Sequence, residues 1–356
     1  MMRHLFVSFR LFALLLLIAL MGCWIGDPLN ARASSVSPSC AATTNEFPVA
    51  FNANSIWNKP IAADVRINPD SSQMIDYLLA RFSDPENVEV ELDGLAWPWS
   101  IPIYQANATS PRARVCSTDH ETACTDDVPI PDNALPSPDS DQKIVVIDCS
   151  ANPPRAWSFW RLTQPDGLHT DWTVPHGAYG WADLSSNGDG LQNHDGGQWG
   201  GRASSWNYYA GLIFPEEIAQ GHIDHALALN LPAEAVSETA IWPARSSDGW
   251  SSDRYAIPMG SHVQLDPALD INALPLSPGA KIIARALQVY GAWVGDTGTT
   301  IGFDVEEFIA RDSLDNLYVN SNPWRGLLTY AALYPFPVNH LRVLETERSA
   351  YYEETP

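Results

Sequence analysis

The chain has 356 residues, and its 42 acidic residues outnumber the 20 basic ones, for a formal net charge of −22. Such a surface repels nucleic acid and polyanionic polymers, so we expect no nucleic-acid partner. The 28 prolines and 22 glycines are spread along the chain and favour many short strands joined by turns.

The first residues have the pattern of an export signal. Arg3 and Arg10 supply a basic start, and the apolar run at 11–22 is too short to be predicted as a membrane span. The stretch Ala31-Arg32-Ala33 fits a signal-peptidase site, and cleavage there would remove a signal peptide at 1–33. We therefore expect an exported protein, either extracellular or in the cell envelope.

A second processing site competes with the first. The stretch Leu20-Met21-Gly22-Cys23 resembles a bacterial lipobox, in which Met21 is an unusual second residue. Processing there would remove 1–22 and leave a lipidated Cys23. We expect contact with a membrane only through such an anchor.

One large β-rich domain is expected at 47–345, between a flexible lead-in at 34–46 and an acidic tail at 346–356. Cleavage after Ala33 leaves 17 basic and 41 acidic residues, and thus a formal charge of −24. That charge suits a neutral ligand, cation binding or a salty habitat. We expect a monomer.

Four cysteines remain after either processing event, and an oxidising compartment favours two disulfides with three possible pairings. We predict that Cys116–Cys124 closes the polar loop CSTDHETAC and that Cys40–Cys149 ties the N-terminus to a strand. Free or metal-binding thiols are the alternative, but no C-x-x-C pair supports zinc.

In chain order, the first regular element is a helix at 71–82, whose apolar residues have helical spacing. Residues 182–209 then form a long polar stretch. Short strands are predicted between them, at 101–105, 112–116, 143–148 and 156–162.

The segment AGLIFPEEIAQGHIDHALAL (210–229) begins with a predicted short helix. Pro215 suits the first helical turn, and Gly221 can end the helix in the left-handed conformation. Glu216 and Glu217 then lie near the helix N-terminus, where negative charge is favourable without any catalytic role.

After this helix the hydrophobic period changes to two, which predicts a strand. His225 falls on its apolar face, whereas His222 and Asp224 fall on the opposite face. A core histidine bonded to a backbone carbonyl is the alternative to a catalytic His225. The H-E-x-x-H signature of zinc proteases is not present in the sequence.

The last predicted helix begins at Ser277, a suitable N-cap before Pro278, and ends at Gly291. The stretch AWVGDTG follows as a strand entering a turn. Strand-rich order with a few inserted helices predicts a mainly β protein, a β-sandwich of the jelly-roll or lectin-like type.

Several blocks together resemble a family of secreted bacterial proteins. They include GLIFPEEIAQGHIDHALAL, of the form GL(I/V)xx(D/E)E(I/V)…GxIxHAL, and a late RALxxYGxxxxDxG block. The resemblance covers about residues 50–310 and implies export and a shared fold, but no activity. It matches Glu217, His225 and Asp296 to family positions and places His222 and Asp224 at variable ones.

A Gly/Asp-rich loop predicts calcium as the one possible cofactor. Starting from Ser185, it follows part of an EF-hand-like series, although Gly196 stands where a bidentate Glu should close the site. A solvated loop of Asx turns is the alternative. The predicted metal ligands are Asp183, Asn187, Asp189, Asn193 and Asp195.

Aromatic residues near this loop predict a carbohydrate subsite, because aromatic faces stack on pyranose rings. Tryptophans that fill a sandwich core are the alternative. The predicted substrate-binding residues are Trp181, Trp199, Trp206 and Asp296.

Two mechanisms fit these residue types. In a glycosidase, Glu217 would work with Asp183 or Asp189 as a pair of carboxylates. In a polysaccharide lyase, His225 would abstract a proton, Tyr208 or Tyr209 would protonate the leaving oxygen, and Arg202 or calcium would neutralise a uronate. The catalytic candidates are therefore His225, Glu217, Tyr208, Tyr209 and Arg202.

No G-x-S-x-G elbow, P-loop or dinucleotide fingerprint occurs, so serine hydrolases, kinases and enzymes with a nucleotide cofactor are not expected. The leading hypothesis is a secreted or lipid-anchored protein that acts on a carbohydrate polymer by hydrolysis or elimination. The alternative is a non-catalytic surface lipoprotein that binds glycan or protein and has a calcium-stabilised loop.

Overall fold

β-Strands dominate the part of the chain that the computed structural model describes. All of the described residues belong to one compact unit, Val36–Pro356. The described residues are 40, 50–85, 88–93, 101–119, 124–164, 171–189, 201–307, 324, 326–334 and 336–345.

Three α-helices and fourteen strands lie in these residues. The helices are α1 Ser71–Leu79, α2 Pro215–Gln220 and α3 Pro278–Val289. The strands are β1 Val90–Asp93, β2 Ile101–Ala106, β3 Arg112–Ser117, β4 Cys124–Pro129, β5 Ile144–Asp148, β6 Arg155–Phe159, β7 Asp171–Val174, β8 Tyr179–Asp183, β9 Leu227–Pro232, β10 His262–Leu265, β11 Ala292–Gly298, β12 Ile301–Asp304, β13 Glu306–Glu307 and β14 Leu341–Val343.

The strands form three sheets, and each sheet contains both parallel and antiparallel pairs. The six-stranded sheet has the order β1-β12-β9-β11-β10-β14, the five-stranded sheet β13-β2-β5-β6-β8, and the three-stranded sheet β4-β3-β7. No sheet closes into a barrel within the described ranges. The prediction of a mainly β protein with a few helices is confirmed, but the parallel pairs differ from the antiparallel pairing of a jelly roll.

The helix boundaries follow from local sequence. The hydroxyl of Ser277 accepts a hydrogen bond from the Ala280 backbone N–H at 3.2 Å, so the predicted N-cap of α3 is confirmed. Gly221 ends α2 with a φ of 95°, which is the predicted left-handed cap. Helix α1 ends at Leu79 rather than at residue 82, because the backbone turns after Ala80.

β9 is buried over its whole length, which corrects the predicted alternation of apolar and polar faces. The strand lies between β12 and β11 in the six-stranded sheet, and the core covers both of its faces. The alternation holds only before the strand begins. There His222 and Asp224 form an exposed pair, with 3.1 Å between Nδ1 and Oδ2, while Ile223 is buried.

Both predicted disulfides are present. Cys116–Cys124 joins the paired strands β3 and β4, and Cys40–Cys149 ties the N-terminal region to the end of β5. Among the described residues, no helix is both long and apolar enough to cross a membrane.

The residues from 201 to 210 connect the two larger sheets. The Asn207 side-chain amide donates to the Ala156 carbonyl of β6 at 2.8 Å, and Arg202 donates to Asp304 of β12. The chain also passes directly from β12 in one sheet to β13 in the other. This region therefore lies where the two sheets meet.

Two glycines with positive φ test how closely the backbone packs beside β9. A Cβ on Gly211 (φ +71°) would lie 2.5 Å from the Ala228 amide nitrogen, whereas a Cβ on Gly221 (φ +95°) would meet nothing within 4 Å. We expect Gly221→Ala to cost about 1 kcal/mol of unfolding free energy from backbone strain alone. Gly211→Ala adds a backbone clash and should cost at least about 3 kcal/mol. Urea unfolding followed by circular dichroism measures both, and equal losses would contradict the packing argument.

Candidate functional site

Arg202 is buried in an ion pair rather than exposed to a ligand. Its side chain has 0% relative exposure, and its Nη2 and Nε donate to Asp304 Oδ2 at 2.7 and 3.2 Å. Its Nη1 donates to the carbonyls of Asn207 and Ala210, both at 2.9 Å. The guanidinium is thus held by protein groups, and in this arrangement it does not reach a uronate.

Asp304 carries the opposite charge of this pair. Burial by itself raises the pKa of Asp304, but the charges of Arg202 and Lys143 and the hydrogen bonds from Arg202 and Asn230 outweigh it. The pKa is therefore lower than the usual value for Asp, and the carboxylate stays ionised. Asn230 of β9 donates to the second oxygen, Oδ1, at 3.1 Å, so the pair also joins β9 to β12.

The aromatic residues that follow Arg202 belong to the core. Tyr208 lies near Arg202 and Lys143, at 5.5 and 5.8 Å from the ring centre, and burial raises its pKa well above 10. Trp206 packs edge-on against Trp57 at 5.2 Å, and Tyr209 packs against Phe214. This placement favours the core alternative for Trp206 and does not expose either tyrosine as a proton donor.

His225 and Glu217 form a second, separate pair. His225 Nε2 lies 2.9 Å from Glu217 Oε1, and its Nδ1 lies 2.9 Å from the Ala226 carbonyl oxygen. Both acceptors lack hydrogens, so both ring nitrogens must donate, and the imidazolium is favoured. Burial lowers the pKa of His225, yet the charge and hydrogen bond of Glu217 outweigh this and raise it. A protonated His225 is a poor general base.

Glu217 has a structural task besides this contact. Its second oxygen, Oε2, accepts the Phe214 backbone N–H at 3.0 Å and so caps the start of α2. One carboxylate thus holds both α2 and the chain that enters β9. His225 precedes β9, whereas Asn230, which holds Asp304, lies about 15 Å further along this extended chain. The structure brings His225 to Glu217 but does not bring either residue to Arg202.

A different pair of carboxyl groups meets at Thr297. The Thr297 backbone N–H donates to Asp296 Oδ1 at 3.1 Å, and the Thr297 hydroxyl donates to Asp248 Oδ2 at 2.9 Å. Asp296 is half-buried in β11, and Asp248 is exposed in the loop before β10. One threonine therefore holds two carboxyl groups beside each other at the surface. We call Asp248, Asp296 and Thr297 the carboxyl pair site.

The electrostatics of this site favour protonation of Asp296. Burial is the largest influence, and together with the carboxylates of Asp248 and Asp304 it raises the pKa of Asp296 to about 7, against the charges of Lys143 and Arg202. Partial burial of its carboxyl group also raises the pKa of Asp248, although the residue as a whole is exposed, and the hydrogen bond from Thr297 opposes this shift. A carboxyl group that keeps its proton near neutral pH is suited to act as a general acid.

A β-bulge sets the direction of Asp296. The pairing of β11 with β9 shifts register between Val294 and Asp296, at Gly295. A Cβ on Gly295 would lie 2.7 Å from the buried Trp206 ring, so only glycine fits there. Bulges of this kind re-aim a side chain and occur often beside active sites.

Lys143 is the cation that lowers the pKa of Asp296 most, and it has a partner of its own. Its side chain is 9% exposed, and its Nζ lies 3.6 Å from Asp141 Oδ2. Asp141 also accepts the indole N–H of Trp160 at 3.1 Å. Lys143 thus acts on Asp296 through its charge while it is held at the start of β5.

The predicted calcium loop is only partly described. Asp183 Oδ1 accepts the backbone N–H and the hydroxyl of Ser185, at 2.8 and 2.7 Å, as the Asx-turn alternative predicts. Asn187 and Asp189 follow, whereas the predicted ligands Asn193 and Asp195 lie outside the described residues. No group of three or more His, Cys, Asp or Glu side chains that could hold a metal occurs in the described residues. Calcium stays a prediction.

Of the predicted sugar-binding tryptophans, Trp181 is half-buried on β8, with the Arg155 guanidinium 4.0 Å from its ring centre. Trp199 lies outside the described residues. Asp296 is the one predicted substrate-binding residue that the structure places in the carboxyl pair site.

No sequence pattern singles out Asp248, Thr297 or Lys143. Asp248 belongs to SSDGWSSD, which has the composition of an ordinary turn. A hydrogen bond from residue 297 to residue 248 is set by the tertiary fold and has no local pattern. A half-buried aspartate in an otherwise apolar strand, as in AWVGDTG, is the one sequence signal that points to this site.

No family model, curated protein or solved structure matches the chain. The resemblance to secreted bacterial proteins therefore stays a prediction.

The His225–Glu217 pair predicts a pH-dependent stability. The pKa of His225 is raised above its unfolded value of 6.5, so its contribution is complete below pH 6.5 and disappears as pH rises through the folded pKa. We expect Glu217→Gln, which can still cap α2, to lower the unfolding free energy by about 2 kcal/mol at about pH 5.5 and by much less at about pH 9. Urea unfolding at both pH values measures this difference. Glu216→Gln is the control on the same helix, and a loss for Glu217→Gln that does not vary with pH would contradict the prediction.

The Arg202–Asp304 pair predicts a large stability loss when its anion is removed. Asp304→Asn leaves a buried guanidinium without a counter-charge, and we expect the unfolding free energy to fall by about 3 to 5 kcal/mol. Asp224→Asn makes the same change in the exposed pair with His222 and should cost less than about 1 kcal/mol. Chemical denaturation of both variants tests the contrast, and a small effect of Asp304→Asn would show that the pair does not organise the core.

Proposed function

We propose that the protein is exported and acts on extracellular carbohydrate, where it hydrolyses glycosidic bonds at the carboxyl pair site. One observation carries this proposal: Thr297 holds the carboxyl groups of Asp296 and Asp248 beside each other at the surface. Two carboxyl groups that flank the scissile bond are the shared machinery of most glycoside hydrolases.

The different surroundings of the two groups suggest their roles. Asp296, with its pKa raised to about 7, would donate a proton to the leaving oxygen as the glycosidic bond breaks. Asp248, on the exposed side, would act as the base that takes a proton from water or as the nucleophile. Water is consumed, and each cleavage yields one new reducing end.

The lyase alternative has weaker support. It needs a neutral histidine, a tyrosine that reaches the substrate, and a cation that faces a uronate. His225 is paired with Glu217, Tyr208 is buried, and Arg202 is bonded to Asp304. Each of these three residues thus has a structural role in the fold that does not require elimination chemistry.

Export is supported by the two disulfides, because such bonds form and persist in oxidising compartments. Cleavage after Ala33 and lipidation at Cys23 remain two forms of this proposal. The second form would keep the protein at the cell surface.

A second candidate function is glycan or protein binding without catalysis. The observation that favours it is an aromatic surface on β8 and the end of β6, where arginines lie over two half-buried tryptophans. Arg155 lies 4.0 Å from the Trp181 ring centre, and Arg161 lies 4.6 Å from that of Trp160. Such faces can bind sugars or protein side chains without any reacting group.

Product release from a panel of neutral and uronate polysaccharides tests the proposal. The purified exported form should release reducing ends without unsaturated products, and Asp296→Asn should lower the rate by about 10²- to 10⁴-fold. The rate should fall as pH rises through about 7, because Asp296 then loses its proton. Asp224→Asn serves as the exposed control and should keep the rate.

The same assay, with and without calcium, separates the alternatives. Unsaturated products that disappear in His225→Ala would establish elimination and contradict our assignment. No product from any polymer, with folding retained, would favour the non-catalytic binding protein.

A further inference from the structure

Trp250 is a large aromatic side chain that faces solvent beside the carboxyl pair site. It is 68% exposed, more than the other exposed large hydrophobic side chains among the described residues, Leu135 at 51% and Ile67 at 45%. It follows Asp248 by two residues. An exposed indole beside polar groups offers an apolar face on which a ligand ring can stack.

The loop that carries Trp250 is held in place by its backbone. The Trp250 N–H donates to the Ala233 carbonyl at 2.9 Å, and the next N–H, of Ser251, donates to the Val236 carbonyl at 3.0 Å. The hydroxyl of Ser247 donates to the Ser237 carbonyl at 2.6 Å. Because the loop is ordered before a ligand arrives, binding to the Trp250 ring would lose little conformational entropy.

The charges of the site select among carbohydrates. Asp248 and Asp296 present carboxyl groups, and the two cations that act on Asp296 have acidic partners, Lys143 with Asp141 and Arg202 with Asp304. A uronate would meet negative charge there, whereas the hydroxyl groups of a neutral sugar can donate to carboxylates while its apolar face stacks on an indole.

We propose that Trp250 is the stacking residue of a subsite for a neutral pyranose next to the carboxyl pair site, and that this subsite excludes uronates. The inference rests on the proposed function, since it names the substrate class of the same site. Arg245, an exposed cation earlier in the same loop, is the residue that would accommodate a uronate if the inference were wrong.

Binding can be measured separately from cleavage in the Asp296→Asn variant. Isothermal titration with hexamers of neutral glucan, mannan and xylan should detect binding to at least one of them and weaker binding of an oligogalacturonate. In the same background, Trp250→Ala should weaken that binding about tenfold or more, whereas Trp250→Phe should stay within a few-fold. Leu135→Ala removes a comparably exposed apolar side chain elsewhere and should have no effect, and circular dichroism verifies that each variant folds.

Several results would overturn the inference. These are the absence of binding to every neutral hexamer, neutral binding that Trp250→Ala leaves unchanged, and oligogalacturonate binding as tight as that of the neutral hexamers. Loss of that uronate binding in Arg245→Gln would identify the opposite specificity. Trp250-dependent binding of a neutral hexamer by a protein that cleaves no polymer would keep the subsite and reject hydrolysis.

Discussion

The buried guanidinium of Arg202 is the constraint on which the centre of the molecule depends. A charge with no exposed surface needs a counter-charge and a carbonyl for most of its N–H groups, and these come from Asp304, Asn207 and Ala210. Those partners lie on β12 and in a tight segment that also bonds to β6. Replacing such a pair by apolar residues often leaves stability unchanged. A pair of this kind can fix one arrangement of its neighbours without adding stability, and here it joins β12 to the segment that bonds to β6.

The same pair shapes the carboxyl pair site a few residues away. Trp206 follows Arg202, and its ring lies against Gly295, where the pairing of β11 with β9 shifts register. Asp296 follows this irregularity directly, and the charges of Arg202 and Asp304 act on its pKa in opposite directions. Burial then becomes the dominant influence on the pKa of Asp296. The structural ion pair and the raised pKa of Asp296 thus belong to one packed region.

What the sequence predicts well is local. Ser277 and Gly221 mark helix ends, and the sequence predicts six of the fourteen strands. Both disulfide pairings are also correct, although Cys40 and Cys149 lie 109 residues apart. The candidate site is less predictable from sequence, because residue type does not reveal burial. Arg202 and Tyr208 have the chemistry of a uronate site, but both are buried in the interior. The contact between Thr297 and Asp248 joins residues far apart in the sequence. Nothing in either local pattern indicates that contact.

The block GLIFPEEIAQGHIDHAL, whose acidic and histidine residues look catalytic, is explained by folding. Gly211 lets the chain approach Ala228, Glu217 caps α2 and binds His225, and Gly221 takes the left-handed cap. Each polar group in this set already has a partner that the fold requires. Chemistry at the surface is then better sought in the later block, where Asp296 is half-buried and its pKa is raised by its surroundings rather than lowered by a partner. A reacting group differs from a structural one in this way, since it must leave part of its bonding capacity for a substrate.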